Sequence, residues 1–110
     1  MEQAGQSSMT EALAQLWVKF LPEMEERVAI LEAASSALGE GKLSTHQREE
    51  ANSAAHKLAG VLGTFGLTKG TILAREAEIM YSGEPETDPD SAADLARIAE
   101  ELRTIVASHK

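Results

Sequence analysis

The chain has 110 residues, a formal net charge of −8, 43% hydrophobic and 25% charged residues, and no cysteine. That length suits one ordinary domain with a core large enough to do without staples, and the missing cysteines exclude disulfides, thiolate metal sites and thiol chemistry. The acidity argues against nucleic acid and anionic membrane surfaces, which both call for clustered Lys and Arg.

Residues 1–9 are small and polar and are expected to form a flexible N-terminus. From Thr10, apolar residues recur every three or four positions through Leu13, Leu16, Trp17, Phe20, Leu21, Met24, Val28, Leu31, Ala34 and Leu38. This spacing predicts a long amphipathic helix, kinked or split near Pro22 and ended by Gly39 and Gly41. Trp17 and Phe20 sit at helical spacing and are read as core.

Ser44 and Gln47 form a capping box for a second helix that runs to Gly63 or Gly66. After a turn, Thr68 is expected to cap a third helix ending near Ser82, with Leu73, Ala77, Met80 and Tyr81 as its apolar stripe, supported by Ile72 and Ala74. Glu84 to Pro89 has the composition of a loop, with Asp88 as cap and Pro89 at the first helical position. The last helix carries Ala92, Leu95, Ala96, Ala99, Leu102 and Val106 on one stripe and ends near Ser108. Nothing alternates with period two. The expected fold is all-α, an antiparallel four-helix bundle over residues 10–110.

Set at roughly 100° per residue, the second helix separates into two faces. Ala51, Ala54, Ala55, Leu58, Val61, Leu62 and Phe65 form a core arc. His56 lies on the opposite side among Glu49, Asn52, Ser53, Ala59, Gly60 and Gly63. Each glycine costs a helix about 0.5–1 kcal/mol relative to alanine. Two of them beside an outward-facing histidine leave room for another molecule to reach the imidazole.

The run Ala55-His56-Lys57-Leu58-Ala59-Gly60, followed by Gly63-Thr64-Phe65-Gly66, resembles the histidine-containing phosphotransfer (HPt) domains of two-component signalling. The Gly-Thr-Phe-Gly tail is most similar to the variant in chemotaxis kinases. The resemblance implies a phosphorelay carrier that accepts a phosphoryl group on His56 and passes it on. It implies a response-regulator receiver aspartate as exchange partner and a histidine kinase as a further donor. The chain would have no ATP site of its own, so it is not an enzyme in the usual sense. Any Mg²⁺ would belong to the receiver, and no cofactor is expected here. The family's usual lysine three residues after the histidine is replaced by Ala59.

An exposed imidazole is largely neutral at cytoplasmic pH, so a ring nitrogen is available to attack phosphorus. Phosphoryl transfer needs positioning and charge neutralisation more than covalent machinery. Asn52, Ser53, Ala59, Gly60 and Gly63 are the expected docking residues, and Lys57 and Lys69 the candidate replacements for the lysine. His46, His56 and His109 lack metal-ligand spacing, so no metal is expected. Hydrolysis with His56 as base, Ser53 and Glu49 nearby, matches no catalytic arrangement. The alternative to a carrier is a non-phosphorylated helical module that binds a receiver or kinase. With neither a signal pattern nor an apolar run of about 20 residues, a cytoplasmic monomer is expected.

Overall fold

A computed structural model describes residues 2–83 and 87–109, with side chains from residue 9 onward. Four helices follow in order: α1 (Glu2–Gly39), α2 (Thr45–Thr64), α3 (Thr68–Tyr81) and α4 (Ala92–Ser108), with a 3-10 turn at Pro89–Ser91 before α4. Of the loop expected over Glu84 to Pro89, the first three residues lie outside the described part.

The longest element departs most from expectation. α1 begins at Glu2 rather than Thr10 and continues through Pro22 without a break. A proline removes the bond to the carbonyl four residues earlier. Here Pro22 is exposed and so is Val18, so water can take that carbonyl. At 38 residues, α1 is also far longer than the 20-residue α2 beside it. Trp17 is buried against Phe65 at the end of α2, with ring centroids 5.1 Å apart and edge to face. Residues before Trp17 have no helix opposite them. Leu13 and Leu16, expected in the core, are therefore 44% and 39% exposed.

Two Schellman turns close α1 and α2. Gly41 and Gly66 take φ of 70° and 72°, a left-handed conformation that costs glycine nothing. Lys42 N–H donates to Ala37 O at 2.7 Å and Leu67 N–H to Leu62 O at 3.0 Å. The Ser44 hydroxyl accepts from Gln47 N–H at 3.0 Å, which caps α2 as expected, although the reciprocal Gln47 side-chain bond is not made. The α3 cap differs: the N-cap is Leu67, and Thr68 is the first helical residue with no capping bond. Asp88 accepts from Asp90 N–H at 3.0 Å and caps the 3-10 turn.

The core is continuous and mostly aliphatic. It includes Met24, Val28, Leu31, Leu58, Leu62, Tyr81, Ile98 and Leu102, each nearly inaccessible to solvent. Ile98 joins α4's buried stripe in place of the expected Ala96, which is exposed. Ile72 on α3, expected to support the apolar stripe, is 55% exposed. The Tyr81 hydroxyl is buried without a partner, and burial pushes its pKa up to about 12. Gly70 lets α3 pack tightly: a Cβ there would stand 3.0 Å from Leu62 Cδ1 and 3.5 Å from Ile105 Cγ2. On the outer surface, Arg103 clasps Glu32 through two bonds of 2.6 and 2.7 Å and ties α4 to α1. The guanidinium holds the Glu32 carboxyl below the usual range.

Candidate functional site

The tight turn at Gly66 sets α2 and α3 antiparallel, and the register follows along the seam between them. Arg48 donates to Tyr81 O at 2.9 Å, and Asn52 Nδ2 donates to Glu78 O at 2.7 Å. One turn further along α2, His56 Nδ1 lies 2.8 Å from Glu78 Oε2. Beyond that, Gly63 faces Thr71, whose Oγ1 would lie 3.7 Å from a Cβ at that position. Positions 48, 52 and 56 are spaced by one helical turn, so a single stripe of α2 takes hold of the end of α3.

The contact with Glu78 orients the histidine. A carboxylate accepts only, so this contact calls for a proton on Nδ1, and in that neutral tautomer the lone pair lies on Nε2. The His56 side chain is 71% exposed while that of Glu78 is 26% exposed. Nε2 has no partner among the described residues. The ring is thus oriented from one side and open on the other.

On the open side, α1 and α2 diverge into a groove of about 510 Å³, lined by Phe20, Glu23, Arg27, His56, Lys57, Gly60, Val61, Thr64 and Phe65. Its floor is apolar and His56 stands on its rim. A Cβ added to Gly60 would meet nothing within 4 Å, so this glycine serves no packing need inside the chain. A second groove continues along the same two helices and contains His46, Glu49, Glu50 and Ser53, sharing Glu23, Arg27 and Lys57 with the first.

Several expected site residues change role. His56, Lys57 and Gly60 do share one groove. Ser53 lines only the adjoining one. Asn52 faces α3 and its amide is occupied by Glu78 O, so it holds the site from behind. Ala59, expected on the docking face, is 3% exposed, because α3 covers that flank of α2. Lys69 lies 3.6 Å from Glu101 of α4 and does not line the groove beside His56. His109, distant from the other two histidines in sequence, packs on Trp17 with ring centroids 4.2 Å apart. Among the described residues no cluster of His, Cys, Asp or Glu is placed to hold a metal ion, and no helix is long and apolar enough to cross a membrane.

Glu78 and Arg27 escaped the sequence reading, while Phe20, read as core, packs against the core and also lines the groove. A signal for Glu78 was available: with a Schellman turn at Gly66, antiparallel pairing puts a residue 22 positions after His56 opposite it. No comparable signal exists for α1, which returns to α2 through a separate turn.

The fold is thus an antiparallel helical bundle with one exposed histidine beside an open groove. The chain belongs to the Hpt domain family, whose model matches residues 15–108. This family implies phosphotransfer in two-component signalling. Among curated proteins, protein RcaC of Microchaete diplosiphon is 35% identical over 80 residues, a stretch that is 73% of this chain and 12% of that protein. The chain therefore spans only a small part of that relative's length. No solved structure matches it.

Proposed function

We propose that this chain is a phosphorelay carrier with His56 as its phosphoacceptor, exchanging the group with receiver aspartates and, where one serves as donor, with a histidine kinase. The observation that carries the reading is the pairing of Nδ1 with Glu78 at 2.8 Å while Nε2 stays open above Gly60. In the step, Nε2 attacks the phosphorus of the receiver's aspartyl phosphate, the P–O bond breaks and the aspartate leaves as carboxylate. The Nδ1 proton stays on the ring, and Glu78 balances the imidazolium charge that forms. The α1–α2 groove seats the receiver, which brings its own Mg²⁺, and the carrier works as a cytoplasmic monomer with no ATP site.

The test is incubation with phosphorylated receivers, comparing wild type with His56→Gln. Wild type takes up acid-labile phosphate and the variant takes up none. Because His56 is exposed, its loss changes stability by no more than about 1 kcal/mol, the worth of one surface hydrogen bond. Labelling of His56→Gln, or none of wild type with any receiver, defeats the proposal.

A further inference from the structure

We propose that Arg27 of α1 is the cation that receives the phosphoryl group on His56; the inference rests on the carrier reading above. A phosphoryl group brings between one and two negative charges at neutral pH. Here it would arrive on a chain of net charge −8, on a ring already held 2.8 Å from the Glu78 carboxylate. Positive charge must come from somewhere close. On α2, position 59 is a buried alanine and offers no reach. Lys69 lies 3.6 Å from Glu101 of α4, and Lys57, which does line the groove, offers a point charge rather than a guanidinium fork.

The five arginines sort themselves by partner. Arg48 donates to Tyr81 O, Arg97 to Glu101, and Arg103 clasps Glu32. Arg27 and Arg75 take part in no ion pair or side-chain hydrogen bond among the described residues. Of these two, Arg27 lines the groove that contains His56.

The register of α1 on α2 gives its level. Trp17 packs on Phe65 at the mouth end, and Ile30 lies with Ser53 and Ala54 in the adjoining groove. The two helices run antiparallel, so Arg27 falls between these points, level with Lys57 and His56. It is half-buried and lines the groove, which limits the entropy lost when the head group is used. A guanidinium offers two parallel N–H donors to phosphoryl oxygens, which a lysine cannot match. Glu78 and Arg27 thus flank the imidazole from opposite helices, one holding the ring proton and the other the transferred oxygens. Arg27 moves no proton and forms no bond in the step; it lowers the cost of placing the charge.

Phosphoramidate, a small phosphoryl donor, tests this without any receiver. The chain is phosphorylated, and ³¹P NMR follows both the pH titration of the phosphoryl resonance and the decay of the phosphohistidine. In Arg27→Ala the titration moves to higher pH, by about two- to threefold in proton affinity, because a nearby cation favours the more charged form. Decay becomes faster by a similar factor, and Arg27→Lys restores part of both. Arg75→Ala, the other unpaired arginine, leaves both unchanged. A wild type that takes up phosphate on His56 from neither phosphoramidate nor a phosphorylated receiver defeats the carrier reading and this inference with it. A phosphorylated Arg27→Ala with wild-type titration and decay overturns the inference alone, as does an equal effect of Arg75→Ala.

Discussion

The two flanks of α2 are built on opposite plans. Toward α3 the seam is closed and polar, with Arg48, Asn52 and His56 each bonded across it and Ala59 sealed beneath. Toward α1 the same helix borders an open groove with an apolar floor formed by Phe20, Val61 and Phe65. His56 stands on the crest between them. The closed flank aims the imidazole, and the open flank receives whatever comes to it. Aiming needs fixed partners within the chain, whereas docking needs apolar surface that the chain leaves uncovered.

Two glycines make the contrast sharpest. Gly60 borders the open groove and Gly70 lies in the closed interior, where Leu62 and Ile105 crowd it. The same substitution should have opposite consequences. Gly60→Leu keeps or raises the melting temperature, since helix propensity favours it by about 0.5–1 kcal/mol. It slows transfer from a receiver by about a hundredfold, because a displaced partner loses its attack geometry. Gly70→Leu overpacks the core and costs about 1–3 kcal/mol or more. Calorimetry and a transfer assay on both variants check this, and the contrast breaks if Gly60→Leu transfers normally.

A smaller effect is expected at Glu78. Glu78→Ala frees Nδ1, and transfer falls about 10–100-fold, the range seen when an orienting partner of a functional histidine is removed. Part of the phosphate should then appear on Nδ1, a change of position that NMR of the phosphorylated chain detects. Phosphate confined to Nε2 at full rate would mean that the seam does not aim the ring. The smallest effect belongs to Asn52. Asn52→Ala gives up one bond to Glu78 O and about 1 kcal/mol of stability, while transfer changes by less than about threefold, since the Glu78 side chain still reaches His56. Loss of transfer as large as in Glu78→Ala would place Asn52 among the docking residues after all.

Much of this protein follows from local pattern. The four helices, the Ser44 cap, the glycine stop after α1 and the outward-facing His56 are all set by spacing within about four residues, the range over which a helix repeats. The resemblance at Ala55–Gly60 and Gly63–Gly66 carried the family because both runs are local to one helix and its end. What the spacing could not supply is which neighbour covers each flank. Ala59 and Gly60 are adjacent and equally outward by phase, yet α3 buries one and leaves the other open. Leu13 and Leu16 have the periodicity of core residues but stand beyond the end of α2. Lys69 needed α4 to reveal its partner, Glu78 needed the register of the α2–α3 turn, and Arg27 needed the return of α1. Helix phase is a property of the chain, written in side chains a turn apart. Which helix lies against which, and at what height, depends on loop geometry and helix length together, and only the packed bundle decides that.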